Sequence, residues 1–162
     1  MTAYDTLASP LGPLLLTSDG EALTGVYMAD HRHGPTIGPD WVRDAGPFTE
    51  ATAQLSAYFA GDLQTFHLAM RPAGTPFQQT VWTALLDIPY GQTETYGSLA
   101  ARLGDPNLTR AVGAANGRNP LSVVVPCHRV VGAGGALTGY GGGMENKRRL
   151  LALESRQGAL FG

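Results

Sequence analysis

The chain has 162 residues, 43% of them hydrophobic and only 15% charged, with 22 glycines and 11 prolines, a composition that supports a packed, loop-rich core and excludes disorder. Its formal charge of −2 is unevenly spread: residues 1–74 carry three basic and eight acidic side chains (−5), residues 75–162 eight and five (+3), so only the second half suits an anionic partner such as DNA. No apolar run approaches the roughly 20 residues that span a bilayer, and the N-terminus shows no basic stretch leading into an apolar one, so the sequence predicts no membrane segment, no signal peptide and a cytoplasmic location.

Three short runs of strand-forming residues come first: Tyr4–Ala8, Leu14–Thr17 and Leu23–Met28. Turn signals at Ser9–Pro13 and Ser18–Gly20 separate them, which predicts an antiparallel meander. Residues 30–47, rich in His, Gly, Pro and Asp, read as loop. Phe48, Ala51, Leu55, Tyr58 and Phe59 then recur at helical spacing up to Gly61, predicting a helix across one face of the sheet. Leu63–Met70 reads as a further strand and Arg71–Gly74 as a linker.

The second half opens on Thr75-Pro76, an N-cap followed by proline in the first turn. Phe77, Val81, Trp82 and Leu85 form that helix's apolar stripe, and Pro89-Tyr90-Gly91 ends it. Ser98–Leu103 reads as a short helix stopped by Gly104, and Asp105-Pro106 opens another that runs to about Gly117. Two short helices around a tight glycine turn outline a helix-turn-helix or an ordinary helical hairpin. Leu121–Val125 reads as a buried strand terminated by Pro126, and a last helix covers about Glu145–Glu154. The fold class is thus α+β. Residues 1–74 form a structural α/β domain, an antiparallel meander packed with a helix. Residues 75–162 form a mostly helical domain that holds the helix-turn-helix and the cysteine.

Cys127 is the only cysteine. No internal disulfide and no multi-cysteine metal site exists. An unperturbed thiol has a pKa near 8.5, so a nucleophilic Cys127 needs a nearby base or cation, and His128 is the local candidate. Neighbouring side chains in a strand point to opposite faces, so the pair cooperates only if the chain turns at Pro126 or a water bridges them. The alternative is a buried, inert cysteine beside a hydrogen-bonded histidine. Met144, Lys147, Leu150 and Leu151 share a stripe that Glu154 continues. A carboxylate there is either buried and paired, able to orient a histidine, or solvated at a frayed end.

These residues resemble the O6-alkylguanine-DNA alkyltransferases, also called methylated-DNA–protein-cysteine methyltransferases. Pro-Cys-His-Arg-Val stands intact at 126–130. Supporting blocks are Phe77–Trp82, Ile88–Gly91, Thr95–Gly97, Arg110–Gly113, Asn116–Pro120 and Leu137–Gly143, in order and at matching spacing. The match is strong from Thr75 to Glu154 and loose in the first half.

The resemblance implies a stand-alone repair protein. It extrudes a damaged nucleotide and moves an alkyl group from O6 of guanine to Cys127, irreversibly and once per molecule, with O4-alkylthymine as a further candidate substrate. His128 deprotonates the thiol through a water, Glu154 orients His128, and Asn119 holds the turn. Tyr96 contacts the flipped base and the adjacent phosphate. Arg110 fills the gap in the duplex, while Ala111 and Gly113 let the recognition helix approach the minor groove. The backbone of Cys127 and Val130 meets the guanine amine, Tyr140 walls the pocket, and the Gly141 amide reaches O6; Gly141 is serine in some relatives. No cofactor is implied. The partner is double-stranded DNA, met by a protein that is monomeric in solution, with cooperative assembly on DNA left open.

Some relatives bind zinc in the first half through Cys and His. Here that half has His31, His33 and His67 without cysteine, so no such metal site is expected, and the His-x-His pair reads as solvated. The competing functions are a non-catalytic sensor of the alkyltransferase-like type, which lacks the cysteine, a cysteine hydrolase using Cys127, His128 and Glu154, and a plain DNA-binding regulator. On the favoured reading the sulfur sits ionised at the floor of a cleft, and the N-terminal half faces away from DNA.

Overall fold

A computed structural model describes residues 1–29 and 31–161, with side chains described to Ser155. β1 (Ala3–Leu7), β2 (Leu14–Ser18) and β3 (Leu23–Met28) form the meander, both pairs antiparallel. A fourth strand, β4 (Val42–Arg43), adds to β1 in parallel, giving the order β3-β2-β1-β4. The predicted loop 30–47 therefore contains a strand: Val42 and Asp44 donate to the carbonyls of Thr2 and Tyr4 at 2.9 and 3.0 Å.

α1 (Thr49–Phe59) buries Ala51, Leu55 and Tyr58, the face the spacing predicts. The predicted strand Leu63–Met70 is absent. Only Met70 pairs, in an isolated parallel bridge to Leu23. Its neighbours read as strand by composition, but β3 is the edge they would have to join, and that edge is shared with the second half.

α2 (Pro76–Leu85) starts at a capping box. Thr75 Oγ1 accepts from the Gln78 amide at 3.1 Å, and Gln78 Oε1 accepts from the Thr75 amide at 3.0 Å, which satisfies two helix-start donors reciprocally. Val81, Trp82, Ala84 and Leu85 are buried. Phe77, expected on the same stripe, is exposed instead. Trp82 Nε1 donates to the Ala115 carbonyl at 2.8 Å and ties α2 to α4 (Thr109–Gly117).

α3 (Tyr96–Arg102) begins two residues earlier than expected, because Thr95 caps it by accepting from the Ser98 amide at 3.0 Å. Gly104, at φ +105°, makes the turn into a 3-10 segment at Pro106–Leu108 and then α4. A two-residue parallel pair, β5 (Glu94–Thr95) with β6 (Val130–Val131), joins the start of α3 to the cysteine segment. α5 (Met144–Phe161) closes the fold.

Leu121–Val125 is buried as predicted but is not a strand. Leu121 alone bridges to Val26, and the chain then turns. The Val26 amide donates to Pro120 O at 2.8 Å and the Ser122 amide to Val26 O at 3.2 Å. The open edge of β3 is thereby covered by the segment leading into the cysteine turn, which protects the edge and fixes that segment. One buried cluster runs from Leu14 and Leu55 through Trp82 to Val130 and Leu150. Among the described residues, no helix is long and apolar enough to cross a membrane.

Candidate active site

Pro126 does break the chain direction. Cys127–Arg129 is a 3-10 turn, with the Arg129 amide donating to Pro126 O at 3.0 Å. Cys127 and His128 are therefore not forced onto opposite faces, and both are buried. Just upstream, Val123 sits at φ +72°, a region that costs a β-branched residue about 1–3 kcal/mol. Asn119 holds this loop from within. Its Nδ2 donates to Val125 O at 3.0 Å and its Oδ1 accepts from the Leu121 amide at 3.0 Å, so one side-chain amide ties both ends of the irregular segment. Asn116 Nδ2 adds a longer bond to Cys127 O at 3.4 Å.

Glu154 is 1% exposed, so of the two readings the paired one holds. Its Oε2 accepts from His128 Nε2 at 2.7 Å, Tyr58 Oη at 2.6 Å and Arg129 Nη2 at 3.0 Å, while Oε1 accepts from Arg129 Nε at 2.7 Å. Arg129 also donates to Ile88 O at 2.7 Å. Burial pushes the Glu154 carboxyl up, but the His128 and Arg129 contacts outweigh it and hold the pKa at about 2. An ionised carboxylate only accepts hydrogen bonds, so Nε2 carries the imidazole proton. Burial holds the His128 pKa below its usual value despite Glu154. Nδ1 is then the basic nitrogen, and it is buried with no hydrogen-bond partner among the described residues.

Lys147 is fully buried on the same side of α5 as Glu154. Its Nζ donates to Val130 O at 2.5 Å and to Thr138 O at 2.9 Å. The Val130 carbonyl, expected to face a guanine amine, thus already accepts one bond.

The thiol differs from expectation. Cys127 is 3% exposed. Burial pushes its pKa up to about 11, against the opposing pull of Asn119, the Lys147 charge and Tyr140. At neutral pH it is a thiol, because loss of solvent opposes the charged form more strongly than these neighbours favour it. The nearby cleft, about 320 Å³, is walled by Tyr96, Gly113, Ala114, Gly117, Tyr140 and Gly141 rather than by the sulfur itself.

Tyr140 is largely buried, and its hydroxyl has no hydrogen-bond partner among the described residues. Tyr96 is half-buried and donates to Thr138 O at 3.2 Å. A Cβ on Gly113 would lie 3.7 Å from the Tyr96 ring, so α4 packs closely over it. Arg110 and Ala111 lie exposed on the outer face of α4, whose inner face buries Val112, Ala115 and Asn116. Gly141 lies at a close approach: an added Cβ would stand 2.8 Å from His31 Cε1 and 3.2 Å from Gly117 O.

Cys127, His128, Glu154, Asn119 and Tyr140 thus come together, with Tyr96, Tyr140 and Gly141 on the wall of the adjoining cleft. Sequence reasoning gave no role to Arg129, Tyr58 or Lys147. The signal for Lys147 was present, since it shares the stripe of Leu150 and Glu154. The His-x-His expectation also divides: His33 is exposed, whereas His31 turns inward and shares a 3.1 Å hydrogen bond with Ser122.

Two family models match the chain. Residues 2–72 match the family model for the 6-O-methylguanine DNA methyltransferase ribonuclease-like domain, and residues 76–156 match that for the 6-O-methylguanine DNA methyltransferase DNA binding domain. A curated relative from Mycobacterium tuberculosis, named methylated-DNA–protein-cysteine methyltransferase, is 51% identical over 95% of this chain and 93% of its own. One of the same name from Methanosarcina acetivorans is 48% identical over 93% and 97%. The crystal structure of Mycobacterium tuberculosis OGT in complex with DNA superposes with a TM-score of 0.91 at 50% identity, covering 96% of this chain and 94% of that one. The O6-methylguanine-DNA methyltransferase of Pyrococcus kodakaraensis superposes at 0.62 and 26% identity, covering 95% and 99%.

Proposed function

This chain belongs to the 6-O-methylguanine DNA methyltransferase family, and from that premise we infer that the alkyl group it removes from DNA ends on the sulfur of Cys127. DNA repair by alkyl transfer and a DNA-binding half are common to the family. The observation that carries the finer reading is that the only cysteine and a histidine whose Nδ1 has no hydrogen-bond partner among the described residues are neighbours in one buried turn.

The substrate is O6-alkylguanine in duplex DNA. Its alkyl carbon is inaccessible to in-line attack within the stack, so the nucleotide is extruded at a cost of a few kcal/mol. Arg110 fills the vacated space from the minor groove. The small residues Ala111, Gly113 and Ala114 on α4 allow close approach to the backbone, which makes binding largely sequence-independent. Tyr96 and Tyr140 flank the base.

The Cys127 proton passes through a water to His128 Nδ1, while Glu154 keeps the other ring nitrogen protonated. The S–C bond forms as the C–O6 bond breaks. The electron pair leaves with guanine, which takes a hydrogen bond or proton from the Tyr96 hydroxyl. Burial keeps the thiol neutral until this proton path is used, and the Lys147 charge stabilises the sulfur anion that forms. The product is a thioether, which none of these groups cleaves, so each molecule reacts once.

Intact-mass measurement after incubation with an O6-methylguanine duplex tests this. The expected result is one CH₂ increment, mapped to the Cys127 peptide, at one equivalent of repaired base. Continued turnover, or repair without the increment, refutes it.

A further inference from the structure

The N-terminal half reaches the mouth of the same cleft. The segment following β3 is pinned there by its backbone and by one side chain. The Arg32 amide donates to Gly141 O at 2.7 Å, the His31 amide to Met28 O at 3.2 Å and the Gly34 amide to His31 O at 3.0 Å. His31 shares its hydrogen bond with Ser122 and packs edge-on against Tyr27, ring centroids 5.3 Å apart. His33, at φ +81°, is held in the left-handed region. That conformation is uncommon outside glycine, and surrounding contacts must maintain it. With the backbone and His31 committed inward, the Arg32 and His33 side chains remain exposed and line the cleft with Arg118, the residue that caps the C-terminus of α4.

The pattern of ion pairing singles out the same place. Arg43, Arg71, Arg102, Arg129, Arg148 and Arg149 each have a carboxylate partner. Among the described side chains, the arginines without one are Arg32, Arg110 and Arg118. All three lie on α4 or at the cleft it borders. The cleft lining includes no carboxylate among the described residues. Their mutual proximity is also felt by His33, whose pKa is lowered by some desolvation and by the charges of Arg118 and Arg32.

We propose that Arg32, His33 and Arg118 form a phosphate-binding rim, built from both halves of the chain, that grips the DNA backbone beside the nucleotide entering the cleft. This rests on the reading of that cleft as the base-receiving site. It reverses the expectation that the acidic N-terminal half faces away from DNA. The net charge of that half is negative, but none of its described carboxylates lines the cleft, and a phosphate responds to the charges within a Debye length of it, about 8–10 Å. Guanidinium groups suit the task because their planar fork matches two phosphate oxygens.

Salt dependence of binding to an undamaged duplex tests the rim without involving alkyl transfer. Each phosphate contact contributes roughly 0.9 to the slope of log K against log salt. Arg32→Gln and Arg118→Gln are each expected to lower the slope by about 1, so that each variant loses about 3- to 4-fold less affinity than wild type between about 50 and 200 mM salt. Arg43→Gln removes the same charge from the N-terminal half on β4, away from the cleft, and is expected to leave the slope unchanged. An Arg32→Gln slope equal to wild type, or an equal fall in Arg43→Gln, overturns the rim. Transfer is scored separately on wild type. Failure of transfer with the slopes still falling as expected supports the rim and overturns only the assignment of Cys127 as acceptor.

Discussion

Replacing Glu154 by glutamine tests the centre of the site most directly. The carboxylate accepts four hydrogen bonds from Tyr58, His128 and Arg129. Glutamine keeps the shape but removes the charge and turns one acceptor into a donor. Arg129, 6% exposed, is then a buried cation without its counter-charge, a loss of about 3–5 kcal/mol. For a chain of this size each kcal/mol moves the midpoint by about 2–4 °C, so thermal unfolding followed by circular dichroism is expected to fall by roughly 6–20 °C.

The pH dependence gives a second, independent magnitude. The folded pKa of Glu154 is about 2 against 4.5 for the free group. A depressed carboxyl pKa adds stability above the unfolded value, and that stability is lost as pH falls from about 4.5 towards 2. It amounts to about 3 kcal/mol, in line with the cost of leaving Arg129 unpaired. Wild type is expected to lose stability across that window, and Glu154→Gln to show a flatter profile there. Transfer to Cys127 is expected to slow at least 100-fold, the lower end of what a positioned general base contributes, because the new amide favours the imidazole tautomer protonated at Nδ1. A midpoint within 2 °C of wild type, with an unchanged acid profile, would refute the pairing.

Lys147→Met removes the buried cation whose charge favours the Cys127 anion and is expected to raise the Cys127 pKa further. Titration of the thiol by its ultraviolet absorbance should show that rise, and reaction with free O6-benzylguanine should slow in step; an unmoved titration curve contradicts the electrostatic role. Arg110→Ala is expected to reduce repair of an O6-methylguanine duplex at least tenfold more than reaction with the free base, since only the duplex leaves a gap to fill. Equal losses on the two substrates would remove Arg110 from that role.

Local signals in the sequence translated directly into structure. The Thr75-Pro76 helix start is two residues long, and the α1 face of Ala51, Leu55 and Tyr58 follows from helical spacing alone. What failed depended on distant partners. Leu121–Val125 is buried, as its composition indicates, but burial does not specify an extended backbone. The Asn119 side chain and the β3 edge satisfy its polar groups in place of a ladder. Leu63–Met70 has strand-like composition but only one residue finds an edge to pair with. The site shows the same division. Glu154 was legible because it continues the stripe of its own helix. Tyr58 and His31 were not, because their partners lie 96 and 91 residues away. An apolar-looking tyrosine in a helix pattern carries no sign that its hydroxyl will complete a carboxylate's shell.

The buried charges also explain why a thiol with a pKa of about 11 is compatible with nucleophilic chemistry. Glu154 is paired with Arg129, and His128 is neutral, so among the described side chains Lys147 is the uncompensated charge of the cluster, and it interacts favourably with a Cys127 anion. Ionising the sulfur therefore brings the cluster to neutrality, whereas protonating His128 without it would add a second uncompensated cation to a buried site. Proton transfer from Cys127 to His128 creates both charges together, at constant net charge. A solvent-exposed thiolate would react with any electrophile that diffuses to it. A sulfur kept neutral by burial is activated only when the proton path and the alkyl carbon are both in place. If Cys127 is the acceptor proposed above and reacts once, that restraint matters more than a low resting pKa.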